Sequence, residues 1–335
     1  MVMKGKLILE NGKIFEGKIF GELKDTVGEI YFNTNMSGYE EMMTDPAVYK
    51  TIMVMTYPMI GNYGLNIEDM ESSRVQLSGL IIKEDAKLPN NFRCEMTLDG
   101  FLRQYGVTGF KGIDTRYLTQ IIRENGNMKA LITTEELTKK EIQQKFDNFS
   151  NNNAVLEVTT KEKVKIPGKN KKIGILDLGM RKSILNYFKA KNNNIIIFPA
   201  TTRADEILNE GIEKLIISNG PGNPENLKET INNIKELIGK IEIFGEVLGA
   251  QVLTLALDGE IKKAKYGHRG GAPVKDLENK KVITVSENSG YEIAKLPKNI
   301  KITHTGINQN TIEGFENKDL KIKATQFEAT FEEVK

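Results

Sequence analysis

One cysteine and two histidines occur in 335 residues. A lone Cys94 cannot close an internal disulfide, which fits a reducing compartment and points to the cytoplasm. With only His268 and His304, histidine chemistry has just two places to occur. No apolar run is long enough to span a bilayer. The N-terminal stretch turns at Asn11-Gly12 like a strand hairpin and does not resemble a signal peptide. An excess of one charge is missing too. The chain carries 47 Lys and Arg against 45 Asp and Glu, a formal +2, which argues against both a nucleic-acid footprint and a membrane-surface patch.

The length suffices for two domains, each with its own core. Over the first half, short β-patterned runs alternate with glycine-rich turns, and one amphipathic stretch, 115–123, predicts a helix. This half, 1–157, is a mixed, β-rich domain. A polar, basic segment over 158–171 has the composition of a linker. Beyond it the rhythm changes. Strands are predicted at 172–178, 195–198, 215–218 and 241–244, with helices at 181–188, 204–209 and 225–239 between them. Continuous β-branched runs alternating with helices imply a doubly wound parallel sheet over 172–335. Ligands of such sheets bind at the carboxyl ends of the strands, where two loops would gather: 218–224 and 245–250.

The second loop is the more informative. Phe244-Gly-Glu-Val-Leu-Gly-Ala-Gln251 follows a strand and opens a helix, which is the layout of a nucleophile elbow. Its apex is Val247, which cannot attack anything. An elbow apex sits at positive φ, a conformation hostile to a β-branched side chain. The turn is therefore expected to have relaxed to an ordinary conformation. Glu246 ends a buried strand, where a carboxylate is expensive unless it is solvated or paired. Ser218-Asn-Gly-Pro-Gly-Asn-Pro224 could cradle an oxyanion with its exposed N–H groups, or be a plain strand-ending turn. His268 and His304 fit hydrogen-bonding roles better than that of a catalytic base. Cys94 fits a half-buried, inert thiol. Ser289 would need a base beside it to be a nucleophile, and none is near in sequence.

Taken together, these pieces resemble the small, glutamine-hydrolysing subunit of carbamoyl-phosphate synthetase over about residues 6–330. The resemblance rests in the first domain on Gly28-Glu-Ile-Tyr-Phe-Asn-Thr-Asn-Met-Ser-Gly-Tyr-Glu40, Thr44-Asp-Pro46, Thr56-Tyr-Pro-Met-Ile-Gly-Asn62 and Gly112-Ile-Asp-Thr-Arg116. In the second it rests on 218–224, 244–251, Gly267-His-Arg-Gly-Gly271, 286–291 and Gln326-Phe327. It implies an N-terminal domain that docks on a large synthetase subunit and a C-terminal class I amidotransferase domain. In the family an elbow cysteine attacks the glutamine amide, assisted by a histidine–glutamate pair, and the ammonia passes through a tunnel to the large subunit. That subunit holds the ATP and metal ion and makes carbamoyl phosphate for pyrimidine and arginine synthesis; no cofactor or metal is expected in this chain.

This sequence departs from the family pattern where the reaction occurs. The cysteine position holds Val247, the histidine position Glu328 and its glutamate position Thr330. Further departures are Ala250, Ser289 and Ala47, the last replacing a serine that helps hold the substrate. The remaining groups of the glutamine pocket match: Gly220, Gly222, Leu248, Gln251, Asn288, Gly290 and Tyr291. The chain stops five residues after Thr330, where the family continues into a closing helix, so a C-terminally truncated domain is expected. Three functions fit this pattern. The first is a non-hydrolysing structural or gating partner of an ammonia-using large subunit. The others are an active glutaminase and a free-standing small-molecule-binding protein.

Overall fold

The computed structural model describes residues 3–329. Two compact units divide between Asn151 and Asn152. In the first, β1 (Met3–Leu9), β2 (Ile14–Gly21) and β3 (Thr26–Asn33) precede the short α1 (Tyr39–Thr44). Then come β4 (Thr51–Met55), β5 (Met59–Ile60), β6 (Gly79–Ile82), β7 (Glu84–Asp85), α2 (Leu98–Gln104), β8 (Thr108–Lys111), α3 (Thr115–Asn125), β9 (Met128–Thr133) and α4 (Lys139–Asp147). Seven strands close into a barrel in the order β1-β2-β8-β6-β4-β3-β9, so none of the seven is left as an edge. The hairpin turn at Gly12 takes φ 86°, as an Asn-Gly turn requires. Helix α3 begins at an Asp114 cap and buries Leu118, Ile121 and Ile122 on one face, which is the amphipathic pattern expected of 115–123.

The second unit opens with α5 (Ala154–Val158) and β10 (Val164–Ile166). The segment read from sequence as a linker therefore contributes a strand: β10 pairs antiparallel with β12 and forms one edge of the sheet. Its hydrogen bonds come from the partner strand, a contribution invisible in a local run of lysines. The parallel core follows as β11 (Lys172–Asp177), α6 (Lys182–Ala190), β12 (Asn194–Pro199), α7 (Ala204–Asn209), β13 (Lys214–Ile217), α8 (Lys228–Leu237), β14 (Glu242–Glu246) and α9 (Leu248–Ala256). Thereafter come the long β15 (Glu260–Asp276) and β16 (Val282–Lys295), then β17 (Lys301–Gly306), β18 (Ile312–Asn317) and β19 (Ile322–Thr325).

All ten strands form one sheet in the order β10-β12-β11-β13-β14-β19-β18-β16-β15-β17. Five neighbours, from β12 to β19, run parallel. Period-two alternation splits their side chains between two cores. Leu176, Ile196, Phe198, Leu215, Ile217 and Ile243 pack with α7, α8 and α9 on one face. Ile175, Ile195, Ile197, Ile216 and Phe244 meet Ile184 and Phe188 of α6 on the other. Both faces being covered is why these strands read as unbroken apolar runs. The β15–β16 ribbon had no periodic signal strong enough to announce it, since its faces alternate buried and exposed over irregular register shifts.

Candidate functional site

The turn after β14 is set by two glycines that let backbones touch. A Cβ on Gly249 would lie 2.1 Å from the Ile217 carbonyl oxygen of β13, and one on Gly245 would lie 2.8 Å from the Gly249 carbonyl. Between them Val247 is buried and takes φ 50°, ψ −103°. The expected relaxation of this turn has not happened. The apex keeps a left-handed conformation because the surrounding backbone holds it. Val247 N–H donates to Thr325 O at 2.8 Å, and Gln251 N–H donates to Val247 O at 3.1 Å as the first bond of α9. A strain of about 1–3 kcal/mol is tolerated where so much structure determines one residue.

The Gly-rich loop after β13 lies against the elbow. Gly220 passes so close to Leu178 that a Cβ would sit 2.1 Å from its carbonyl oxygen and 2.8 Å from Leu248 Cδ2, while Gly222 takes φ 87°. Gly220 and Leu248 are thus brought together, and β16 supplies the next wall. Gln251 Nε2 donates to Ser289 Oγ at 2.7 Å and to Tyr291 O at 3.1 Å. Gln326 Nε2 reaches the same carbonyl at 2.7 Å. Ser289 Oγ in turn donates to Tyr291 O at 2.8 Å and accepts the Tyr291 N–H at 3.1 Å. Its hydrogen-bond partners are amides and carbonyls, none of which is a base. Asn288 and Gly290 lie on β16 beside these two residues. Ala47 belongs to the first unit, in a 3-10 turn capped by Asp45, whose Oδ1 accepts the Ala47 N–H at 2.9 Å. Thr330 and the end of the chain lie outside the described residues.

Beside the apex stands an ion network. Glu246, 3% exposed, accepts from Arg181 Nη2 at 2.7 Å and from the Ala329 N–H at 3.1 Å. The other arm, Arg181 Nη1, lies 2.8 Å from Glu328 Oε2. Glu328 is pinned further by its N–H, which donates to Ser286 O of β16 at 2.9 Å. One guanidinium therefore bridges two carboxylates, one at the end of β14 and one after β19. Desolvated carboxylates need such a partner. Arg181 was not among the residues singled out from sequence. Its signal was Glu246 itself: an acid ending a buried strand needs a cation from a neighbouring loop at that edge, and Arg181 follows β11 there.

Both histidines lie on strands that border these contacts: His268 of β15 is the cross-strand partner of Ser289, and His304 of β17 packs against Phe327. His268 of β15 sits between Glu287 (Nδ1 to Oε2, 3.7 Å) and Glu292 (Nε2 to Oε2, 3.4 Å), and burial pulls its pKa down against the attraction of Glu292. His304 Nδ1 shares a hydrogen with Thr303 Oγ1 at 2.9 Å, its ring meets Phe327 edge-on, and burial lowers its pKa as well. Burial raises Glu287 to about 7, and burial together with Glu287 raises Glu313 of β18 to about 8. Among the described residues no three acids, histidines or cysteines converge to hold a metal ion. Cys94 is half-buried in the first unit, its Sγ 3.5 Å from Met96 O.

A nucleophile-elbow turn at the carboxyl edge of a parallel sheet, facing a glycine-rich loop, is the frame of a class I glutamine amidotransferase domain, and the model of that family, Glutamine amidotransferase class-I, matches residues 174–328. Residues 7–132 match the carbamoyl-phosphate synthase small chain, CPSase domain. The carbamoyl phosphate synthase small chain of Clostridium perfringens is 48% identical over 326 residues, covering 97% of this chain and 93% of that protein. The pyrimidine-specific small chain of Bacillus subtilis is 39% identical over 328 residues, covering 97% and 90%. This chain belongs to the carbamoyl phosphate synthase small chain family.

Proposed function

We propose that this chain is a non-hydrolysing small chain, a structural or gating partner for a large chain that draws on free ammonia. The observation that carries this reading is the content of the elbow: a buried valine at the strained apex, with the Glu246–Arg181–Glu328 network beside it. Glutamine hydrolysis through a covalent intermediate requires a nucleophile, a base to deprotonate it and a group to orient the base. Val247 has no atom that can attack. Glu328, at the position where the family places its base, is held by a guanidinium. Its oxygens are engaged by the Arg181 guanidinium at 2.8 Å and not by a nucleophile. The Gln251 amide, part of the proposed pocket, is committed to Ser289 and Tyr291.

Pairing with a large chain is supported by family membership over nearly the whole length of the relatives, first domain included. Carbamoyl phosphate made by the pair would serve pyrimidine synthesis, as the pyrimidine-specific small chain of Bacillus subtilis does by its name. The test is reconstitution with the large chain and measurement of carbamoyl phosphate formed from ammonium or from glutamine. Formation with ammonium alone is the expected result. Equal rates with the two nitrogen sources would refute the proposal. Val247→Cys should restore no glutamine-dependent rate, because the family's histidine base is also absent, its position being Glu328.

A further inference from the structure

The two most exposed large apolar side chains among the described residues, Phe92 and Leu88, share one loop layer of the first unit with Met59 and Ile67. Phe92 is 97% exposed and Leu88 90%, while Met59 and Ile67 are about half exposed. Isolated apolar side chains on a surface need no explanation, but these four are tied together by the chain. Met59 of β5 pairs with Glu84 of β7, and the Ala86 N–H, two residues before Leu88, donates to Ile60 O at 2.8 Å. Asn90 N–H donates to Asn62 O at 2.9 Å, and Glu95 N–H to Leu65 O at 2.9 Å. Next to Phe92, Arg93 is fixed at both ends. Its carbonyl accepts from Asn66 Nδ2 at 2.9 Å, and its guanidinium lies 2.8 Å from Asp69 and 3.4 Å from Glu68. Asn91 Oδ1 accepts the Arg93 N–H at 2.8 Å, closing the turn that lifts Phe92 outward. The layer also needs Gly64, at φ 74°, where a Cβ would sit 2.1 Å from Cys94 Sγ.

A rigidly presented aromatic ring surrendered to water is stabilising only when something covers it. Held by backbone bonds on both sides, it would lose little freedom on binding, which is the property of an interface anchor. The surroundings state the chemistry of the partner. Residues 59–71 and 83–96 carry six carboxylates, Glu68, Asp69, Glu71, Glu84, Asp85 and Glu95, against three cations. We infer that this layer is a docking surface, with Phe92 and Leu88 as anchors, for an apolar pocket edged by lysine and arginine on the large chain. The inference rests on the pairing proposed above and adds where the pairing is made.

The test uses the full chain and its cognate large chain, with association measured by titration calorimetry. Leu88→Ser with Phe92→Ser removes both anchors without touching a buried group, so the melting temperature should stay unchanged. The dissociation constant should rise about 30-fold or more, the change that corresponds to about 2 kcal/mol for a hot-spot residue. Val282→Ser, at an exposed apolar position on the β15–β16 ribbon, should leave it unchanged. Binding of the double variant within threefold of wild type would overturn the inference while leaving the pairing intact. Failure of the wild-type chain to bind the large chain would overturn the pairing, and this docking surface with it. Self-association of the chain that is abolished by the double variant would identify a second copy as the occupant and overturn it too.

Discussion

Arg181→Met separates the two carboxylates from their shared cation while keeping most of the side-chain volume. Glu246 is then left almost fully buried without its guanidinium, while the Ala329 N–H still donates to it. Stranding a buried charge in this way costs about 3–5 kcal/mol. Glu328, whose side chain is 24% exposed, can turn toward water and adds little. A domain of this size loses about 2–4 °C of melting temperature per kcal/mol, so a fall of roughly 6–20 °C is expected for the second unit. Calorimetry at pH 7 measures it, with the unit's own transition scored because two units need not unfold together. Glu246→Gln in the Arg181→Met background should recover most of the loss, since an uncharged amide no longer needs the cation. A loss below about 1 kcal/mol, or additive effects in the double variant, would refute the view that this network holds the elbow to the segment after β19.

Two further outcomes follow from the same geometry. Gly249→Ala places a methyl group 2.1 Å from a β13 backbone carbonyl that cannot retreat, so it should destabilise the second unit by about 3 kcal/mol or more in urea unfolding; an unchanged midpoint would contradict the packing described. Glu313, raised from 4.5 to about 8, and Glu287, raised to about 7, bind protons in the folded state that they lose when unfolded. Their contribution to stability is complete below about pH 4.5 and is lost as pH rises through 7 to 8, at up to about 1.4 kcal/mol per pH unit for each group. Glu313→Gln should flatten the upper part of that decline and raise the melting temperature at pH 8. An unaltered pH profile would show that Glu313 is not the titrating group.

Much of the fold was legible in the residues. Unbroken Ile/Leu/Val runs bounded by breakers marked β11, β12, β13 and β14, because a strand covered on both faces has no polar side to show. The Asn11-Gly12 hairpin and the helix from Thr115 were equally local signals. What escaped was set by partners far away in sequence. Strand β10 is a strand because β12 lies beside it, and the β15–β16 ribbon follows from pairing across irregular register rather than from a clean alternation.

At the candidate site the division is the same. The sequence by itself determined which atoms are present: a valine at 247, a glutamate at 328, a glycine on each side of the turn, and the family to which the whole chain belongs. It could not determine the backbone of Val247. Reasoning from the β-branched side chain alone predicts relaxation, whereas the turn is held at φ 50° by bonds to Thr325 and Gln251 and by glycine contacts with β13. Only the tertiary structure decided that Glu246 and Glu328, 82 residues apart, share one guanidinium from Arg181. A buried charge specifies that it needs a partner, and the fold alone decides which one comes within reach.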